Sequence, residues 1–231
     1  MDALSRRAAF AATAGLAAGA ILILPGCAKS QGGEDVSATE DLMREHGVLR
    51  RILVVYRETA ARLRTAPGSV DAGALGEAAG LFKTFGEDYH ERKLEEEHIF
   101  PAVLKAGGEA GALVATLKAQ HDRGREITGF LQARCAGGKI AAADAGAVAG
   151  VLDAFARMYE AHTAYEDTIV FQAWRKSLSK SQLDEAGDQF EDIEKAQFKG
   201  DGFDLAVDQI AKIERRLGLH DLAKMTAPPP G

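Results

Sequence analysis

Between Ser37 and Leu217 apolar side chains return every three or four residues, and the spacing breaks only at short clusters of glycine, proline and small polar residues. A stripe of that period buries one side of a helix, whereas a half-buried strand alternates every second residue. Such a chain has to fold as helices packed against one another. Its composition agrees: 46% of residues are hydrophobic while only 6% are aromatic, and the alanine, leucine, glutamate and lysine content favours helix. No strand-like alternation, sequence repeat or phosphate-binding glycine loop competes with this reading.

Ser37 or Thr39 caps a first helix running to about Arg64, with Leu42, His46, Leu49, Leu53 and Tyr56 on one stripe. The turn Ala66-Pro67-Gly68-Ser69 ends it, and Asp71 caps a second helix from about Ala72 to Lys105. Ala106-Gly107-Gly108-Glu109 breaks that helix, and a third runs to about Arg134 with Leu113, Leu117 and His121 at four-residue steps. A loop around Gly137, Gly138 and Asp144 leads to a fourth, through about Arg175, whose stripe is Leu152, Phe155, Tyr159, His162, Glu166 and Val170. Four long helices with short connections predict an all-α, antiparallel up-down four-helix bundle over 38–176. Two shorter amphipathic stretches, separated at Lys199-Gly200-Asp201-Gly202, form a C-terminal helical extension over 177–231, outside the bundle, with a tail at Pro228-Pro229-Pro230.

Ahead of the helices, Ser5-Arg6-Arg7 precedes an uncharged run from Ala8 to Leu24 and then Pro25-Gly26-Cys27. A basic start, an apolar stretch and a small-residue exit read as an export signal over 1–30, followed by a linker over 31–37. The paired arginines resemble the twin-arginine type, and Leu24-Pro25-Gly26-Cys27 resembles a bacterial lipobox whose Cys27 would carry lipid; otherwise Cys27 leaves with the signal. The folded part is therefore expected outside the cytoplasm, periplasmic or otherwise exported, touching a membrane only through the signal or a lipid anchor. Cys135 is the only other cysteine, so packing or metal has to stabilise the fold unless Cys27 survives unlipidated. A net charge of -6 without a basic stripe argues against nucleic acid and leaves small molecules, cations or proteins as partners.

Of the six histidines, His46, His90, His121 and His162 fall one per bundle helix on the apolar stripe, whereas His98 and His220 fall off the stripes and are expected at the surface. One histidine on an apolar face is ordinarily a core residue satisfied by a hydrogen bond. Four would all land inward in on the order of one chain in a hundred, taking the stripe as about a third of the helix surface. Burying four imidazoles without ligands would also strand polar nitrogens. Their heights along the bundle agree as well. His46 and His90 each lie 22 residues from Gly68, and His90 and His121 lie 17 before and 14 after Gly107, a mismatch within about one helical turn. His121 and His162 share that level if the third connection centres near residues 141 to 142.

Carboxylates accompany the histidines. His162 and Glu166 stand at i, i+4, which places both on one helix face. The acidic run in His90-Glu91-Arg92-Lys93-Leu94-Glu95-Glu96-Glu97-His98-Ile99-Phe100-Pro101 is by default a solvated face, with Glu95 or Glu96 as the inward exception. Imidazole with carboxylate suits iron, manganese or zinc, and carboxylates bridge ion pairs in helical bundles.

The histidine spacing, with the HisGlu…GluGluGlu…PhePro segment, resembles the hemerythrin-like (HHE cation-binding) family from about Leu42 to Trp174. The resemblance implies two non-heme iron ions, with His46, His90, His121 and His162 as nitrogen ligands, Glu95 and Glu166 bridging, and Glu91 as a further terminal ligand. Two departures stand out. His90 and Glu95 are five apart instead of four, which a π-bulge would absorb; failing that, Glu91 displaces His90 as the inward residue. Leu117 stands where oxygen-carrying hemerythrins have another histidine.

What the resemblance implies is binding of dioxygen or another diatomic, for binding, sensing or oxidative defence, with an electron donor as a further partner. The alternative is a di-iron redox enzyme: a peroxidase, a ferroxidase or a nitric-oxide-consuming protein. A metal-free helical interaction protein is the third reading.

Overall fold

A computed structural model of the chain describes residues 36–230. The expected export signal and lipobox, and most of the linker, lie outside the described residues. Six main helices follow in order, and there is no strand among the described residues. Helix α1 is Ala38–Thr65. Helix α2 is one rod of three successive segments, Ala72–Leu81, Phe82–Ile99 and Phe100–Ala106. Helix α3 is Gly108–Cys135. Helix α4 again has three segments, Ala145–Tyr165, Glu166–Val170 and Phe171–Ser177. The extension adds α5 (Lys180–Phe198) and α6 (Gly202–Leu217). No helix among the described residues is long and apolar enough to cross a membrane.

The ends follow from local chemistry. Ser37, rather than Thr39, caps α1 by accepting from the Glu40 amide, and Asp71 caps α2 by accepting from the Ala74 amide. Gly107 and Gly108 take φ of 73° and 70° between α2 and α3, a conformation that a side chain would strain. Helix α5 opens with a reciprocal capping box between Ser179 and Gln182. The connection between α3 and α4 spans 136–144 and brackets the 141–142 region that matching the histidine levels requires.

Helices α1 and α4 share the most extensive contact, and α2 packs on α3 and α1. Tyr56, Phe82, Phe155 and Tyr159 fill the interior between three of these helices, with Phe82 edge-on to Phe155 and Tyr159 at 4.8 Å each. Helices α5 and α6 lie outside, against α1 and α2. Arg51 to Glu214 at 2.8 Å and Arg216 to Asp71 at 2.6 Å tie α6 to the long helices. Cys135 is a buried free thiol, and burial pushes its pKa up to about 11, which suits packing and not reactivity.

The i+5 spacing of His90 and Glu95 has a clear structural outcome. Where one bulge suffices on sequence grounds, α2 carries a π-helical stretch over all of Phe82–Ile99. There the Phe100 amide reaches back five residues to the Glu95 carbonyl. In this wider turn residues five apart lie nearer one face than in an α-helix, so His90 Nε2 stands 3.4 Å from Glu95 Oε1, and Glu91 is buried beside them without displacing His90. A second π segment, Glu166–Val170, is invisible in the spacing of His162 and Glu166. Its Phe171 amide reaches back to the Glu166 carbonyl.

Glu87, buried at 3% exposure, lies in the first of these stretches, and its Oε1 has no hydrogen-bond partner. Burial, helped by the nearby charge of Glu91, raises its pKa to about 7. The native state then keeps a proton that the unfolded chain gives up near the ordinary glutamate value. The sign follows: stability is full below that value and falls as pH rises toward 7. Glu87→Gln should match the parent at pH 4 and exceed it at pH 8 by up to about 3 kcal/mol, measured by urea unfolding. Parallel stability curves for the two proteins would contradict this.

Candidate metal centre

Each of the four long helices brings one imidazole to a common depth. His46 from α1, His90 from α2, His121 from α3 and His162 from α4 are all at most 3% exposed. They form two pairs in which the Nε2 atoms face each other, His46 with His90 at 2.9 Å and His121 with His162 at 3.1 Å. A nitrogen lone pair facing another at this distance needs a proton or a cation between them.

Glu95 and Glu166 sit between the pairs. Glu95 Oε1 is 3.4 Å from His90 Nε2 and its Oε2 is 3.3 Å from His121 Nε2, so one carboxylate spans both pairs. Glu166 Oε2 lies 3.0 Å from His162 Nε2 and 3.5 Å from His46 Nε2, spanning them a second time. Both side chains are fully buried, yet none of their four oxygens has a hydrogen-bond partner. Leaving ionised oxygens unsatisfied in a dry interior is costly unless a cation completes them. Two sets of donor atoms each lie close enough to hold one ion: His46, His90 and Glu95, and Glu95, His121, His162 and Glu166. The residues therefore fit a pair of cations bound by imidazole and carboxylate.

The outward Nδ1 atoms are all engaged. His46 donates to Asp167 at 2.7 Å, His90 to Glu45 at 2.6 Å, His121 to Glu96 at 2.9 Å and His162 to Gln120 at 2.9 Å. An acceptor at Nδ1 places the proton there and leaves the Nε2 lone pair directed inward. Each acceptor belongs to a neighbouring helix, so α1 serves α2, α2 serves α3, α3 serves α4 and α4 serves α1. Basic residues secure two of them: Arg50 holds Asp167, and Arg125 holds Glu96 at 2.5 Å. Phe171 stacks on His46 at 5.3 Å and Phe100 on His121 at 5.5 Å, closing the outer faces of the rings.

The charges divide unequally within each pair. Burial lowers His46 and His162, and for His162 the charge of His121 adds to it. Burial also works against charge on His90 and His121, but carboxylates outweigh it. Glu95 and Glu45 hold His90 well above its usual value, and Glu91, Glu95 and Glu96 raise His121 to about 10. Against burial, His90 and His121 hold the Glu95 carboxyl well below the usual range, while burial and the charge of Glu95 push Glu166 well above it. One imidazole per pair carries a proton where a cation would sit.

Glu91 is buried but stands apart from this cluster. It accepts from the Tyr159 hydroxyl at 2.7 Å and from Arg125 at 3.3 Å, and comes no nearer to His121 than 4.0 Å, at Nδ1. Glu91, Glu96 and His121 Nδ1 also lie within reach of one ion, but the Arg125 guanidinium already reaches both carboxylates. Leu117 is buried in the core, and no fifth histidine joins the four. His220 is exposed, as its position predicts, while His98 is half-buried against Phe190 at 5.7 Å.

Stripe analysis misses Glu45, Gln120 and Asp167, and gives Glu96 only as an alternative to Glu95. The signal that could have found them is a short internal match. Glu95-Glu96-Glu97-His98-Ile99-Phe100 parallels Glu166-Asp167-Thr168-Ile169-Val170-Phe171, and Glu45-His46 parallels Gln120-His121. In each six-residue segment the first residue spans the histidine pairs, the second accepts from a histidine Nδ1, and the last stacks on that same ring.

The family model described as the hemerythrin HHE cation-binding domain matches residues 37–174. The chain is also similar to uncharacterized protein Mb2018 of Mycobacterium bovis and uncharacterized proteins MT2051 and Rv1995 of Mycobacterium tuberculosis. Each is 42% identical over 192 residues, which cover 83% of this chain and 74% of the relative. No solved structure gives a significant match. With that match spanning all four histidines and both central carboxylates, the chain belongs to the hemerythrin HHE cation-binding family.

Proposed function

We propose that this is an exported non-heme di-iron protein that binds dioxygen or another diatomic for binding, sensing or oxidative defence. In this reading the four long helices run as an antiparallel up-down bundle. His46 and His90 would hold one iron and His121 and His162 the other, with Glu95 and Glu166 available to both. The observation that carries it is the four carboxylate oxygens buried without hydrogen-bond partners among four inward-facing Nε2 atoms. The paired arginines and the apolar run near the N-terminus support export.

Iron, when bound, supplies the electrons that attract a diatomic. The chain's own residues prepare the place. Asp167, Glu45, Glu96 and Gln120 fix the rings and their tautomers. Phe100 and Phe171 keep water off two of the rings, and Leu117 holds the core apolar where a fifth nitrogen ligand would otherwise stand. Glu91 adds negative charge beside His121.

The second reading, a di-iron redox enzyme, is favoured by two buried phenol–carboxylate pairs. Tyr89 donates to Glu45 at 3.0 Å and Tyr159 donates to Glu91 at 2.7 Å. Turnover with peroxide or nitric oxide separates an enzyme from a binder.

His162→Ala should lower iron content and melting temperature together, because ligation stabilises the fold it belongs to. Unchanged iron in that variant would remove His162 from the ligand set. Since burial and neighbouring charges favour the protonated forms of His90, His121 and Glu166 in the metal-free protein, loading at pH 7 should release protons, read by titration in weak buffer. Loading without proton release would contradict the assigned nitrogens.

A further inference from the structure

The two halves of the centre match in their bridging carboxylates, stacked phenylalanines and Nδ1 acceptors, but one feature has no counterpart. On the His162 side a phenol lies against the ligand: the Tyr159 ring is 5.1 Å from the His162 ring, centroid to centroid. Its hydroxyl donates to Glu91 at 2.7 Å. The residue after His90 is this Glu91, whereas the residue after His162 is Thr163, whose buried hydroxyl has no partner. The fold makes room for the phenol at a helical glycine. A Cβ on Gly124 would stand 2.1 Å from the Tyr159 hydroxyl oxygen, so α3 gives up a side chain there. Phe155 stacked at 4.6 Å and Phe82 edge-on at 4.8 Å surround the ring, which is 1% exposed. An oxidised phenol in such a place is shielded from solvent and from outside reductants.

We infer that Tyr159 is a redox-active residue that gives one electron to the metal centre while a hydroperoxide is reduced there, its phenolic proton passing to Glu91. This rests on the di-iron reading. The reduction, ROOH with two electrons and two protons giving ROH and water, breaks the O–O bond. Of the two electrons, the bound metal pair would supply one and Tyr159 the other. The Tyr159 O–H bond breaks, its proton goes to Glu91 Oε1, and a neutral tyrosyl radical and a protonated Glu91 remain. The two protons taken up by the products come from solvent. Moving the proton along an existing hydrogen bond avoids a phenol cation in a low-dielectric interior, where isolated charge is costly. Tyr89 is the weaker donor, because the other oxygen of its acceptor Glu45 already binds His90 Nδ1 at 2.6 Å, and a proton arriving there would compete with that bond.

The test is freeze-quenched electron paramagnetic resonance of the iron-loaded full chain after one equivalent of hydrogen peroxide, with iron counted in every sample. The parent should give a tyrosyl radical signal that narrows when ring-deuterated tyrosine is incorporated. Tyr159→Phe should abolish it at unchanged iron content, whereas Tyr89→Phe and Tyr56→Phe should keep it. Gly124→Ala, which displaces the hydroxyl from Glu91, should cut the radical yield at least tenfold with iron retained. A signal of the same line shape in Tyr159→Phe, or none in the iron-loaded parent, would overturn the inference and leave the di-iron reading standing. A parent that takes up no iron would remove both.

Discussion

Four carboxylate oxygens from Glu95 and Glu166 lie in the dry interior of a helical protein with imidazole nitrogens around them and no hydrogen bond to satisfy any one. Acids are not kept in such a place without a positive partner, because desolvation alone would neutralise or expel them. The surrounding structure can be understood as the means of holding these two side chains where cations complete them. The π turns carry them, four helices each supply one imidazole, and the ring of Nδ1 acceptors passes from helix to helix so that no histidine can swing without disturbing its neighbour.

The long helices and the shared depth of the histidines could be read from the sequence, because a stripe of period 3.6 and the distance from a turn are both local properties. The anomaly at His90 and Glu95 could be read too, since five residues between two inward groups conflict with a regular helix. Its extent could not: nothing in Phe82 to Tyr89 marks a wide turn by residue type. The segment at Glu166 was invisible for the opposite reason, since His162 and Glu166 already satisfy the ordinary repeat. The Nδ1 acceptors were hidden because each sits beside a central residue on the same helix, slightly off its stripe, and faces a different helix. The paired segments ending in Phe100 and Phe171 disclose Glu96 and Asp167, and the match of Glu45-His46 with Gln120-His121 discloses the other two. Glu91, which the resemblance implies as a ligand, accepts from Tyr159 and Arg125 and also lies with Glu96 and His121 within reach of one ion.

The same logic explains the asymmetry of an otherwise repeated centre. Three Nδ1 acceptors are acids and the fourth, Gln120, is neutral, so the imidazole with the weakest outer partner, His162, is also among those most depressed by burial. The Glu91 carboxylate adds negative charge on that side through His121. The two positions are thus electrically unlike. Helices α5 and α6 contribute none of these groups; they cover the outer faces of α1 and α2, and Arg51 and Arg216 anchor α6 there.

The account stands on two cations sharing one pair of carboxylates. Anomalous X-ray scattering at the iron edge, from crystals of the chain loaded without oxygen, tests it most directly. Two peaks about 3.5–4 Å apart, one beside His46 and His90 and the other beside His121 and His162, are the predicted result. A single peak, or iron bound only at surface carboxylates, would contradict it.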